Sequence, residues 1–218
     1  NNGRMSMNPK KKGLQDVKCV AREVHWKDEH HNSYGKWHEI NMQASNVIFQ
    51  SDFVQSKCTK FSKIIEEFVH IQMWNVSQSP KDETKAEKPN VFIFVLDSVS
   101  TTAALRSLPR TISFLKHEFE AVNLRNLNKV GENSRPNGWA FLMGKQVTNV
   151  DKGVFGMGEE KPDVNESCYV HVDDQPFILK EFAKRGYKSM MAEDMINGAF
   201  NIYDCWGFKN IPVTHYMR

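Results

Sequence analysis

The pattern of apolar and polar residues changes along the chain. Between residues 14 and 76, short stretches alternate apolar with polar positions, as at Val17, Cys19 and Ala21. Such alternation is typical of half-buried β-strands. The pattern therefore predicts a small β-rich module over residues 14–76. Within this module, residues 61–73 fit a helix nearly as well as a strand.

Strands and helices alternate after residue 90. Val91–Leu96 is an unbroken apolar run, rich in β-branched and aromatic residues. A strand that is buried on both faces of a parallel sheet has this composition. Further helices are predicted at 110–119, 136–143 and 176–185, and further strands at 121–127 and 187–192. The alternation predicts an α/β fold with a mostly parallel sheet covered by helices.

Two polar stretches set the predicted domain boundaries. Residues 1–13 are polar and are predicted to form a disordered tail. Residues 77–90 are charged, bounded by prolines and free of large apolar side chains, which is typical of a linker. We therefore predict a tail, the β-rich module over 14–76, a linker, and a larger α/β domain over 91–218.

Composition argues against two classes of protein. The net charge of +3 comes from 29 basic and 26 acidic residues, and this balance predicts no nucleic-acid partner. The run Lys10–Lys12 is either a solvated part of the tail or a nuclear-import patch. Because no run of about 18 apolar residues is present, we predict no transmembrane segment in this chain.

The four cysteines are split evenly between the two halves of the chain. None lies in a C-x-x-C pair, which argues against a zinc ribbon or a thioredoxin motif. We predict one disulfide in each half, Cys19–Cys58 and Cys168–Cys205. The alternative is four reduced, buried thiols in a cytosolic binding module.

Two N-glycosylation patterns favour the secretory route. They begin at Asn75 and Asn165, and each has serine two residues later. Together with paired cysteines they predict a secreted glycoprotein, located outside the cell or in the secretory-pathway lumen. An export signal or a membrane anchor is expected in a segment outside these residues, since the N-terminus lacks an apolar signal core.

Acidic side chains follow two of the predicted strands. Asp97 comes directly after Val91–Leu96, and Glu193 and Asp194 come after residues 187–192. In open α/β sheets, ligands bind beyond the carboxyl ends of the strands. Carboxylates placed there are oxygen ligands suited to a divalent cation. The alternative is that these acids cap the next helix or turn.

Ser134 lies at the predicted start of a short helix. Pro136 suits a first helical turn, so Ser134 or Asn133 is expected at the N-cap. A hydroxyl in that place lies near the positive end of the helix dipole, which favours an alkoxide nucleophile and a bound anion. An ordinary serine N-cap is the alternative.

An ordered set of motifs resembles one protein family. The motifs are Pro89-Asn-Val-Phe-Ile-Phe-Val-Leu-Asp97-Ser-Val-Ser100, Arg106-Ser-Leu-Pro109-Arg-Thr111, Asn128-Lys-Val-Gly131-Glu-Asn-Ser134-Arg-Pro-Asn137 and Ala192-Glu-Asp194. Over residues 14–218 the chain resembles the domain-of-unknown-function 229 (DUF229) family, a group of nematode and insect proteins related to sulfatases and alkaline phosphatases.

The resemblance implies the N-terminal part of an alkaline-phosphatase-like domain. The implied activity is metal-dependent hydrolysis of a phosphate or sulfate ester on a small molecule or a glycan. Asp97 would bind a divalent cation (Zn, Mn, Mg or Ca), and Ser134 would be the nucleophile and a second metal contact. Arg135 would contact the substrate anion or face solvent.

Three departures from the family and superfamily pattern limit this expectation. Thr101 and Ser134 stand where the family more often has Arg and Thr, and the superfamily's downstream Asp-His pair of metal ligands is missing. His171 with Asp173 and Asp174 is either a local substitute or a polar loop. We therefore expect the site to be incomplete and inactive in this chain. A non-catalytic secreted binding protein on the same fold is the alternative.

Overall fold

The computed structural model describes residues 3–8, 10–41, 47–74, 89–149, 162–163, 168–195 and 197–218. The chain divides into two compact units. The first unit combines residues 1–81 with residues 168–218, and the second contains residues 82–167. The first unit is therefore built from two segments that are far apart in the sequence.

A five-stranded antiparallel sheet forms most of the first unit. Its strands are β1 (Val17–Asp28), β2 (His31–Tyr34), β3 (His38–Ile40), β4 (Phe53–Lys60) and β5 (Lys63–Ile71). The order is β2–β1–β4–β5, and β3 also pairs with β1. The residues predicted to form a β-rich module thus form this sheet. The ambiguous segment 61–73 contains a strand, β5.

The alternation along β1 divides its side chains between the two faces of the sheet. Cys19 and Ala21 are buried on one face, where they pack with Ile40, Phe49 and Val54. The even-numbered residues that alternate with them lie on the other face. This second face forms the floor of a cleft.

The N-terminal residues contact the sheet. Met5 and Met7 are partly buried against its core, and the Met7 N–H donates to the Asn41 carbonyl at 2.8 Å. Their polar neighbours led us to predict a disordered tail over residues 1–13. The structure instead gives the two methionines apolar partners, which the average composition of the tail does not reveal.

The second unit contains three helices and no strand among its described residues. The helices are α1 (Thr101–Ser107), α2 (Pro109–Glu118) and α3 (Ser134–Met143). Helices α2 and α3 correspond to the two predicted there. Gly144 ends α3 in the left-handed conformation, with φ 61°, as expected for a helix C-terminus.

Residues 91–96 and 121–127 do not form the buried strands that the sequence predicts. Within residues 89–149, all of which the structure describes, no residue belongs to a β-ladder. The side chains of 91–96 are 46–94% exposed. A buried strand needs hydrogen-bonded neighbours and a cover of helices, and the structure supplies neither to these residues.

Residues 168–218 complete the first unit. They contain α4 (Ile178–Lys184), β6 (Met190–Ala192), a short 3-10 helix (Ile202–Asp204) and β7 (His215–Met217). Strand β6 pairs in parallel with β7, and it corresponds to the end of the strand predicted at 187–192. The structure is therefore mixed α/β, but its larger sheet is antiparallel, and parallel pairing among the described residues is limited to β6 and β7.

A buried carboxylate joins the two segments of the first unit. Glu29 lies in the turn between β1 and β2, and its side chain is 1% exposed. It accepts hydrogen bonds from the Phe208 N–H at 3.1 Å and the Tyr216 hydroxyl at 2.9 Å, and it forms an ion pair with Arg218. The sequence predicted residues 91–218 as one domain, whereas these contacts hold 168–218 against the sheet.

Both expected disulfides are present in the structure. Cys19 is bonded to Cys58 across β1 and β4, and Cys168 is bonded to Cys205. All four cysteines are thereby paired, and no thiol is free. The glycosylation patterns at Asn75 and Asn165 lie outside the described residues. In the part of the chain that the structure describes, no helix could cross a membrane.

Candidate functional site

Ser134 and Asp97 are direct neighbours in the second unit. The Ser134 hydroxyl donates a hydrogen bond to Asp97 Oδ2 at 3.0 Å. Asp97 is exposed, and Ser134 is half-buried at the start of α3. The two side chains are therefore close together, and their binding to a shared ion stays a prediction.

The cap of α3 is Asn133, and this leaves the serine hydroxyl available. Asn133 has φ 64°, and its side-chain oxygen accepts a hydrogen bond from the Arg135 N–H at 3.2 Å. Asparagine is among the preferred N-cap residues. With ψ at −179°, however, Asn133 lies outside the left-handed helical region that asparagine adopts readily, so its backbone is strained. Because Asn133 is the cap, Ser134 is the first residue of the helix. Its hydroxyl bonds Asp97 instead of capping the backbone.

Asn137 holds the loop that leads into the helix. Its amide nitrogen donates to the carbonyls of Gly131 and Asn133 at 2.8 and 2.6 Å. Its amide oxygen accepts from the Val130 N–H at 2.9 Å. Three hydrogen bonds from one side chain thus fix the backbone on the N-terminal side of Ser134.

Gly131 allows this loop to lie against the helix. A Cβ atom at this position would come within 2.8 Å of Pro136 Cβ and Cγ, and within 3.1 Å of Thr148 Oγ1. The proline ring is part of the first turn of α3 and cannot move independently. A side chain at residue 131 would therefore push the loop away from Ser134.

Arg135 is buried beside its own helix. Arg135 is only 7% exposed, and its guanidinium carbon lies 5.9 Å from the centre of the Trp139 ring. The alternative prediction, that Arg135 faces solvent, is therefore wrong. Contact between Arg135 and a substrate anion stays a prediction.

Glu193 and Asp194 belong to the first unit, whereas Asp97 and Ser134 belong to the second. Glu193 accepts a hydrogen bond from the Ala199 N–H at 2.9 Å, and its other oxygen lies 3.8 Å from Arg218 Nε. Asp194 is exposed. The contacts of Glu193 are structural ones within its own unit, and its part in a metal site stays a prediction.

Asp173 organises a polar loop. Its oxygens accept hydrogen bonds from the Lys209 N–H and from both the backbone and side-chain nitrogens of Asn210, at 2.6–2.9 Å. Burial raises the pKa of Asp173, but these donors outweigh it, so the net pKa is lowered. His171 packs against the Trp206 ring at 5.0 Å. The loop interpretation thus accounts for these side chains.

No cluster of three or more His, Cys, Asp or Glu side chains that could hold a metal ion occurs among the described residues. The oxygen donors that the structure brings together are those of Asp97 and Ser134. Both are of the type that hard divalent cations prefer, but two donors are fewer than such cations take.

A family model described as "Protein of unknown function (DUF229)" matches residues 2–218. The chain belongs to the DUF229 family. The match covers nearly the whole sequence and includes the segments around Asp97 and Ser134. No curated protein and no solved structure matched this DUF229 chain in the corresponding searches.

Two structural roles in this DUF229 member were missed by sequence reasoning. Asn137 was part of the motif, but its loop-fixing role was not inferred. A signal existed, because an asparagine within the first helical turn tends to bond nearby backbone groups. Glu29 gave no signal, because its burial depends on Phe208, Tyr216 and Arg218, far away in the sequence.

Proposed function

We propose that this DUF229 chain carries part of a metal-dependent hydrolase that cleaves phosphate or sulfate esters of small molecules or glycans. Ser134 is the proposed nucleophile, on an alkaline-phosphatase-like fold. The supporting observation is the 3.0 Å hydrogen bond from the Ser134 hydroxyl to Asp97, at the first residue of a helix. A hydroxyl beside a carboxylate has a proton acceptor within reach.

Each residue has a separate task in this proposal. Asp97 orients the hydroxyl and accepts its proton as Ser134 Oγ forms a bond to phosphorus or sulfur and the ester oxygen departs. The start of α3 favours the negative charge of the ester group. Water then hydrolyses the covalent ester on Ser134. Asn137 and Gly131 keep the hydroxyl in position.

A divalent cation (Zn, Mn, Mg or Ca) belongs to the proposal. The oxygens of Asp97 and Ser134 are of the type that such a cation prefers. Two donors are too few, however, so further ligands have to come from other residues. When bound, a cation would lower the pKa of the hydroxyl and stabilise the charge that develops on the ester oxygens.

A non-catalytic secreted binding protein on the same fold is the second candidate function. The observation behind it is that, among the described residues, only Asp97 and Ser134 bring oxygen donors together in the second unit near the start of α3. In both cases the proposed location is extracellular or in the secretory lumen, and the two disulfides agree with an oxidising compartment.

Hydrolysis by the natural full-length protein tests the proposal. Release of nitrophenol from p-nitrophenyl phosphate and p-nitrophenyl sulfate is measured with Zn, Mn, Mg and Ca in turn. Ser134→Ala should lower kcat by about 10³-fold or more, whereas Ser134→Thr keeps the hydroxyl and should retain measurable activity. Asp97→Asn should also reduce the amount of bound cation, measured by mass spectrometry.

Ser100→Ala is the matched control. Ser100 caps α1 by accepting a hydrogen bond from the Ala103 N–H at 3.2 Å, so the variant removes a helix-start hydroxyl from the same unit. It should retain full activity. Equal activity in wild-type protein and Ser134→Ala would exclude this nucleophile. Absence of both turnover and bound cation would leave the binding-protein alternative.

A further inference from the structure

A cleft of about 390 Å³ lies in the first unit, on the face of the sheet opposite its core. Its floor is formed by β1, β2 and β4, through Val24, Trp26, Tyr34, Phe53 and Gln55. One side is formed by residues 211–218, and the other by residues 50–52 and Trp74. The volume is within the range of about 300–1,000 Å³ that small-ligand sites occupy.

Aromatic rings contribute to the apolar surface of the cleft. Trp26, Tyr34 and Trp74 all line it. Tyr34 remains 53% exposed although the Arg22 guanidinium lies 3.9 Å from its ring centre. Rings of this kind offer a large contact area at a low cost in side-chain entropy.

The acidic, basic and imidazole side chains that line the cleft already have polar partners. Asp52 lies 2.8 Å from His215 and also accepts a hydrogen bond from the Trp74 N–H. His25 is 3.2 Å from Glu23. Arg218 is held by Glu29. Because the Asp52 carboxylate and the Arg218 guanidinium already have partners, these two groups offer little further attraction to an ionic ligand.

Uncharged hydrogen-bonding groups remain available in the same cleft. The side-chain amides of Asn32 and Gln50 make no hydrogen bond to any residue that the structure describes, and both residues are exposed. The Thr214 oxygen accepts from the Ser189 N–H at 3.2 Å, which leaves its hydroxyl proton free to donate. Each amide can donate and accept at once.

We propose that this cleft binds a neutral oligosaccharide. Sugar rings have apolar faces that match the aromatic side chains, and hydroxyl groups that match amides able to donate and accept. A peptide that adds a strand to the sheet fits less well, because such a peptide binds along the edge of a sheet, whereas the cleft lies on its face. The proposed site is separate from Ser134 and Asp97 and does not depend on the hydrolase proposal.

Tryptophan fluorescence of the full chain tests this proposal, since Trp26 and Trp74 line the cleft. The protein is titrated with short chito-, cello-, manno- and galacto-oligosaccharides, and calorimetry measures Kd for any that change the emission. Asn32→Ala and Gln50→Ala should each raise Kd by about fivefold to tenfold, as expected for one lost hydrogen bond. Gln15→Ala, an exposed glutamine outside the cleft, should leave Kd unchanged.

Three results would overturn the proposal. One is the absence of binding to every neutral oligosaccharide at about 10 mM. The second is a Kd that neither Asn32→Ala nor Gln50→Ala alters, although both variants keep the circular dichroism spectrum of the parent. The third is preferential binding of sulfated heparin oligosaccharides or of a neutral peptide library, which would assign the cleft to another class of ligand.

Discussion

Removal of the Glu29 carboxylate should weaken the attachment of residues 168–218 to the sheet. The side chains of Glu29 and Arg218 are 1% and 7% exposed, so both charges are withdrawn from water. Glu29→Ala leaves the guanidinium buried without this partner. It also removes the acceptor of the Phe208 N–H and of the Tyr216 hydroxyl.

The expected loss follows from these contacts. Breaking a buried ion pair by removing one partner costs about 3–5 kcal/mol, since the remaining charge loses its main compensation. That corresponds to a rise of about 10²-fold to several 10³-fold in the unfolded fraction of the first unit. Arg218 keeps the weaker contact with Glu193 at 3.8 Å. Glu29→Gln should cost less, because its amide oxygen can still accept from the Phe208 N–H.

Urea unfolding followed by tryptophan fluorescence measures the effect. Trp26 reports on the first unit, because its ring lies 5.9 Å from Tyr216. Hydrogen exchange should show faster exchange in residues 213–218 of Glu29→Ala. Glu39→Gln, an exposed glutamate on β3, is the control and should change stability by no more than about 0.5 kcal/mol.

A loss below about 1 kcal/mol in Glu29→Ala would refute this reasoning. It would mean that Glu29 and Arg218 are solvated, or that residues 168–218 do not dock on the β1–β2 turn. A double variant separates the contribution of the ion pair to stability from the contribution of each side chain alone. Glu29→Met with Arg218→Met should cost less than Glu29→Ala alone if the unpaired charge is the main penalty.

Two further predictions concern other parts of the chain. Hydrogen bonds lower the pKa of Asp173 in the folded state, so its stabilising effect is present above the unfolded pKa of about 3.9 and is lost as pH falls through the folded pKa. Asp173→Asn should therefore lose about 1 kcal/mol at pH 7 and show less acid sensitivity in urea titrations, whereas Asp174→Asn should match the parent. Phe94, at 94% exposed, should tolerate Phe94→Lys within about 0.5 kcal/mol and gain solubility, whereas Met143→Lys, at a buried position, should unfold the second unit. Strong acid sensitivity in Asp173→Asn, or a loss of several kcal/mol in Phe94→Lys, would contradict these expectations.

Local sequence signals predicted several elements well. The apolar–polar alternation at Cys19 and Ala21 identified β1 and its buried face, because a strand's side-chain period depends on neighbouring residues only. The helix predicted at 136–143 likewise corresponds to α3, which ends at Met143. The two disulfides followed from an even cysteine count that was divided between the halves of the chain.

Long-range features could not be predicted from these signals. In the sequence, nothing distinguishes Glu29 from an exposed acid in a turn. Its burial depends on Tyr216 and Arg218, which lie nearly two hundred positions further along the chain. The division of the chain into two units also depends on contacts between residues that are far apart in the sequence. For Val91–Leu96, a strand was predicted that the structure does not form. The composition of this segment indicates a preference for the strand conformation, but it does not indicate whether a neighbouring strand is present.

The Ser134–Asp97 contact arises for a different reason from the one that the sequence suggested. We placed Asp97 by assuming that it ends a strand in a sheet, yet the structure forms the contact without that strand. The serine is held instead by short-range polar bonds: Asn133 caps the helix, and Asn137 fixes the loop before it. These bonds lie within a few residues of Ser134. The position of the proposed nucleophile therefore depends on its own loop and helix rather than on the edge of a sheet.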